Sequence, residues 1–227
     1  MKKSEENKNA FMADFSHELK TPLTSICGYA QTMRTIKLSE DDRSDALEYI
    51  YSESRRLDRL SKKMLKLFEL DNDLENKNEI LSVKNILEAA KKTSKPLADK
   101  KNVTIKTSAG DEKLIADHDL LQDALSNLID NAVKASPEGG VVNVYTENNT
   151  IVISDDGYGI PQEEIERITE PFYMVDKSRT RKNGGSGLGL TLVKKIMDKS
   201  GIGIEIKSKI NEGTKVILHF DDVSMNT

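Results

Sequence analysis

One histidine and three small clusters of Asn, Asp, Lys and Gly carry most of the chemistry open to this sequence. His17 stands in the run Phe15-Ser16-His17-Glu18-Leu19-Lys20-Thr21-Pro22-Leu23. Around it Phe11, Phe15, Leu19, Leu23, Ile26, Ala30 and Met33 recur at steps of three and four, the spacing of one helix face. His17 lies two residues from Phe15, about 200° round a helix, so its imidazole faces water opposite the apolar stripe. A neutral imidazole there is a nucleophile, with Glu18 beside it and Thr21 one turn further along the same face. Pro22 removes a backbone donor just beyond. By spacing alone, the same residue is also an ordinary surface histidine.

The second cluster is Asn127-Leu128-Ile129-Asp130-Asn131-Ala132-Val133-Lys134. Asn127, Asn131 and Lys134, four and three apart, project from one side of a helix whose core face is Leu121, Leu125, Leu128 and Ala132. An amide oxygen is a hard ligand for Mg²⁺, and an ammonium suits phosphate. A solvated polar edge would show the same spacing. The third is Ser154-Asp155-Asp156-Gly157-Tyr158-Gly159, where a strand ends in a carboxylate and enters a tight turn. Ionised Asp155 only accepts hydrogen bonds, which selects a ring with an exocyclic amino group, such as adenine. The fourth, Gly184-Gly185-Ser186-Gly187-Leu188-Gly189-Leu190, opens a helix. Its glycines let backbone N–H groups approach a phosphate chain. No Gly-Lys-Ser/Thr follows, so it is not a Walker A loop.

These residues are held by a chain of 227 residues with 37% hydrophobic and 32% charged content, a size for one large or two modest domains. A net charge of −4 gives no support for phosphate-backbone binding, so nucleic acid is not an expected partner. The single Cys27 excludes an internal disulfide and fits a reducing cytosol. No apolar run reaches the roughly 18 residues of a membrane span, so this part of the protein is expected to be soluble and cytoplasmic. The charged opening Lys2 to Asn9 reads as a helix entering from something upstream.

Periodicity places a first helix over about 5–36 and a second beginning after Ser39, its N-cap. Leu47, Ile50, Ser54, Leu57, Ser61, Met64 and Phe68 form a heptad seam on the second. Tyr51, Leu60, Leu65 and Leu67 add a flank too wide for one partner. A hairpin of two such helices buries this surface by pairing with a second copy into a four-helix bundle, so a homodimer is expected. The polar run Leu70 to Asn78 marks a boundary, giving domains 1–76 and 77–227. Beyond it come a strand near 79–83, a helix through Leu97, a strand at 103–107 with 113–116 as its hairpin partner, and a helix over 119–135. A hairpin over 141–147 and 151–155, a helix from Pro161, a helix over 188–199 and a final hairpin complete an expected single sheet with helices on one face. His118 and His219 receive no role.

The His17 run resembles the phospho-acceptor box of sensor histidine kinases. The three later clusters resemble the N, G1 and G2 boxes of the Bergerat-type ATP-binding fold that these kinases share with gyrase, mismatch-repair and chaperone ATPases. Glu170-Pro171-Phe172-Tyr173 resembles the intervening F box. The resemblance covers essentially the whole chain, in order, and implies a dimerisation and histidine-phosphotransfer hairpin followed by an α/β-sandwich catalytic domain. It implies ATP and Mg²⁺ as cofactors, with adenine on Asp155, Mg²⁺ on Asn131 and the phosphates near Lys134. Gly157, Gly159, Phe172, Gly185, Gly187, Leu188 and Gly189 would border the nucleotide, and Lys177, Arg179, Arg181 and Lys182 would belong to a mobile lid. Asn127 stands where the hydrolytic relatives carry a water-activating glutamate, so the phosphoryl group would be kept for His17. Glu18 would orient the Nδ1 proton. A response regulator would receive the phosphoryl group, and Glu18-x-x-Thr21 resembles the motif with which this subfamily dephosphorylates its regulator. The alternatives are a hydrolytic ATPase of the gyrase class, which predicts glutamate at 127 and no acceptor histidine, and a nucleotide-binding scaffold.

Overall fold

The computed structural model describes residues 2–72, 77–176 and 185–223. Helix α1, Lys2–Thr35, runs through Pro22, and α2, Glu40–Asp71, returns beside it. Ser39 caps α2 as expected, its hydroxyl accepting from the Asp42 N–H at 3.1 Å. The expected heptad seam is split. Of its members Met64 is buried while Leu47 and Phe68 are exposed, and the flank divides too, with Leu60 and Leu67 buried beside Ala46 and Arg56 but Tyr51 and Leu65 exposed. The helix thus has two apolar faces, one used inside the chain and one left at its surface.

The second half begins with β1, Asn78–Ser82, and α3, Val83–Lys101. Then come β2, Thr104–Ser108, β3, Lys113–Asp117, and α4, His118–Ala135. β4, Val141–Glu147, β5, Thr150–Asp155, a 3-10 turn at Gln162–Glu164, α5, Gly189–Ser200, β6, Gly203–Lys209, and β7, Gly213–His219, follow.

Two corrections concern pairing. The strand at 113–117 is not a hairpin partner of β2. It pairs antiparallel with β1, Ile115 opposite Ile80, in a separate two-stranded ribbon. β2 instead lies parallel to β4, at the edge of a five-stranded sheet ordered β2-β4-β5-β7-β6. Two sheets replace the expected one. The segment after Pro161 is a single 3-10 turn rather than a longer helix.

α4 packs between α3 and α5 and across β4 and β5. Its expected core face is realised, with Leu121, Leu125 and Leu128 almost wholly buried. Burying each such side chain contributes on the order of 1.5–3 kcal/mol. Asp117 ends β3 and starts α4, one carboxylate oxygen accepting from Leu120 N–H at 3.1 Å and the other from Lys77 N–H at 3.2 Å. Leu60 and Leu67 of α2 join the same core cluster, so the hairpin is docked on the second half.

Candidate active site

His17 is exposed on α1, as its spacing predicts. Glu18 turns the other way. It is buried, and its Oε2 accepts from Arg56 Nη2 of α2 at 2.9 Å, with Glu53 completing the group at 3.3 Å from Nη1. The sequence carries the signal, because Glu18 lies three residues after Phe15 and Arg56 lies four before Leu60, both on inward stripes. Thr21 is exposed one turn beyond His17, and its hydroxyl donates to the His17 carbonyl at 3.2 Å.

The second half holds a cavity of about 300 Å³ between α4, β5, the Gly159 turn and the start of α5. That is the lower end of the range for small-molecule sites. Its base is Asp155, 6% exposed, whose Oδ1 accepts from the Gly157 N–H at 2.9 Å. Burial pushes this carboxyl up to about 6, against the lowering effect of the Gly157 and Thr214 backbone donors. Gly159, at φ +67°, passes so close to Lys209 that a Cβ would meet its carbonyl oxygen at 1.9 Å. Leu128, Ala132, Ile153, Met174 and Val216 make the walls apolar around that buried carboxylate, and the other lining carboxylate, Asp176, is exposed.

The other end is cationic. Asn131, Lys134, Gly185, Gly187 and Gly189 line it together with Lys63 of α2. Burial lowers the proton affinity of Lys134, opposed by Asp130. α5 begins here without a side-chain cap, so its first N–H groups and dipole face the cavity. Among the described residues no three His, Cys, Asp or Glu side chains gather as a metal cluster. Asn131 is the side-chain amide in the lining, beside the hydroxyls of Tyr158, Tyr173, Ser186 and Thr214.

Four expected positions behave differently; Gly157 is one, outside the lining with its N–H given to Asp155 Oδ1. Phe172 does not line the cavity; it is 8% exposed, at φ +62°, with its ring 5.5 Å from Phe11 of α1. Leu188 is fully buried as the N-cap residue of α5. Asn127 is not in the lining either, because its Oδ1 is taken by Lys63 Nζ at 2.7 Å. Lys177, Arg179, Arg181 and Lys182 lie outside the described residues. His17 is also absent from the lining, so this docked arrangement keeps histidine and cavity apart.

Residues 7–73 match the family model described as the His Kinase A (phospho-acceptor) domain. Residues 116–224 match that described as the histidine kinase-, DNA gyrase B- and HSP90-like ATPase. The chain belongs to the sensor histidine kinases. Sensor histidine kinase YkoH of Bacillus subtilis is 32% identical over 227 residues, covering 98% of this chain and 49% of that protein. Sensor protein SrrB of Staphylococcus aureus is 30% identical over 218 residues, 93% of this chain and 37% of that protein. The chain therefore spans half or less of the curated kinases it matches. Histidine kinase ThkA, solved in complex with response regulator protein TrrA, superposes on all of this chain and 65% of its own, with a TM-score of 0.76 at 20% identity. Acinetobacter baumannii histidine kinase AdeS gives 0.68 at 21% identity over 92% of this chain and 98% of that one. At those identities the likeness is one of fold, the helical hairpin followed by an α/β ATPase domain. No described helix of this kinase chain is long and apolar enough to cross a membrane.

Proposed function

We propose that this chain phosphorylates itself on His17 from ATP and passes the phosphoryl group to an aspartate of a response regulator. The observation that carries the reading is one chain holding both an exposed helical histidine and an apolar cavity with a lone buried acceptor, Asp155, at one end and cations at the other. A purine amino group donates to Asp155, and the polyphosphate lies toward Lys134 and the N-terminus of α5. Asn131 would hold Mg²⁺ through its amide oxygen, a hard donor suited to a hard cation. The cation draws charge off the phosphates when bound.

In the transfer, Nε2 of neutral His17 forms a bond to the γ-phosphorus while the bond to the ADP oxygen breaks. Glu18 faces Arg56 and not His17, so that pair must open before the carboxylate can orient the proton on Nδ1. Asn127, an amide, takes no proton from water, which favours histidine over hydrolysis. Transfer within one chain requires the docked hairpin and cavity to rearrange, since His17 stands outside the lining; transfer between the two chains of a dimer is the other route. Thr21 holds an attacking water for the reverse task, dephosphorylating the regulator, and must then turn its hydroxyl from the His17 carbonyl. Residues 1–76 form the dimerisation and phosphotransfer unit and 77–227 the catalytic unit, both cytoplasmic parts of a sensor. Leu47, Tyr51 and Leu65 supply the face that meets a second copy. The test is direct. After labelling with γ-labelled ATP and Mg²⁺, addition of a cognate receiver domain should move the label onto it. Retention of all label on this chain with every receiver tried would oppose the transfer step.

A further inference from the structure

Lys63 belongs to the phosphotransfer hairpin, yet its ammonium forms part of the cavity of the catalytic half. Nothing in the motifs of the sequence points to it. Its position does, because Lys63 is three residues after Leu60 and four before Leu67, a cation on the inward stripe of α2. An ammonium has three donors. Among the described residues Lys63 makes a single hydrogen bond, to Asn127 Oδ1 at 2.7 Å, and that oxygen is neutral. Lys66, one position before the buried Leu67, carries the ion pair from α2 to Asp123 of α4, at 3.3 Å. A Cβ on Gly189 would meet Lys63 Nζ at 3.3 Å, so the ammonium sits against the first residue of α5, where the helix dipole is itself positive. Lys134 from α4 lines the same end. Two ammoniums and a helix N-terminus thus converge with few counter-charges, an arrangement that suits a multiply charged anion.

We propose that Lys63 is a phosphate-contacting residue supplied by the hairpin, so that the polyphosphate end of the nucleotide site is complete only when α2 is docked on α4 and α5. The inference rests on the nucleotide reading of the cavity. Lys63 keeps its bond to Asn127 and turns its other donors to the β- or γ-phosphate. Asn127 in turn is fixed by its own donation to the Asp123 carbonyl at 2.8 Å, so it holds the lysine in place. The electrostatics agree with this geometry. Burial, then Lys134, lowers the proton affinity of Lys63 to about 8, with Arg59 of its own helix adding to the effect and Asp130 and Asp123 of α4 opposing it. A polyphosphate beside the ammonium reverses that shift, so binding near pH 8 draws in up to about half a proton.

The experiment is calorimetric titration of the full chain with ATP, ADP and adenosine in Mg²⁺ at pH 8, in two buffers of different ionisation enthalpy. Lys63→Met should bind ATP about tenfold more weakly with adenosine affinity unchanged, and should take up no proton. Lys63→Arg should keep most of the ATP affinity, again without proton uptake, because guanidinium stays charged. Lys63→Met binding ATP as tightly as wild type, or more tightly, overturns the proposal. So does an equal loss for ATP and adenosine, or proton uptake that persists in the variant. Failure of the wild-type chain to bind ATP at all would count against the nucleotide reading itself, a separable result.

Discussion

Under the proposed function Asp155 selects the base, and it does so as a carboxylate. Burial raises its pKa to about 6. Below that pH it becomes a neutral acid that no longer presents two acceptors to an amino group. The ionised form is the one that binds, so ATP affinity should fall as pH drops through about 6, approaching tenfold per unit. Titrations between pH 5 and 8 check this, and a flat profile would contradict it. Asp155→Asn should lose about 10- to 150-fold in ATP affinity, the equivalent of a charge-assisted bond of about 1.5–3 kcal/mol. Thr21→Ala should leave His17 labelling intact and slow regulator dephosphorylation at least tenfold, about 1.4 kcal/mol of barrier. A wild-type dephosphorylation rate in that variant would remove Thr21 from the account. Asp155 was legible because a strand that alternates into Asp-Gly can only end in a turn. Its raised pKa was not, since that depends on the apolar walls closing over it.

Among the elements, α2 carries more than its apolar periodicity suggests. Arg56 and Lys63 lie on its inward stripe, and stripe readings built from apolar residues pass over charged ones. Arg56 and Glu18 form a pair in which both side chains are about nine-tenths buried. Removing one partner leaves a buried charge, so Arg56→Met should destabilise the hairpin by about 3–5 kcal/mol. Denaturant unfolding reads this, and Glu18→Gln combined with Arg56→Met should recover part of the loss. An unchanged midpoint for Arg56→Met alone would show that the pair is not structural. Gly187 joins two elements at once. It has φ +70°, and a Cβ there would lie 2.6 Å from the Phe172 backbone. Gly187→Ala should therefore cost at least about 1 kcal/mol and loosen Phe172 from Phe11, visible in thermal unfolding. Helix ends and the two later hairpins were readable from caps and alternation. The partner of β3 was not, because the local signal for a hairpin with β2 is the same whether the strand turns back or crosses to β1.

For the molecule as a whole, the docking of hairpin on catalytic half is one interface, and the exposed apolar face of α2 is the proposed second, toward another copy. Leu47→Glu with Leu65→Glu should convert a dimer into a monomer in sedimentation velocity while leaving the cavity able to bind ATP. A persistent dimer would place the contact elsewhere. The domain order was legible because four separated clusters follow one another as they do in histidine kinases; the docking was not, since Phe11 against Phe172 and Lys63 against Asn127 join residues 161 and 64 positions apart in sequence. The central claim, that this chain joins a phosphoryl group to an imidazole nitrogen, is tested most directly by the chemistry of its label. Incubated with γ-labelled ATP and Mg²⁺, the wild-type chain should acquire label that acid removes and base does not, and His17→Ala should acquire none while still binding ATP. Acid-stable label, or equal labelling of His17→Ala, would contradict it.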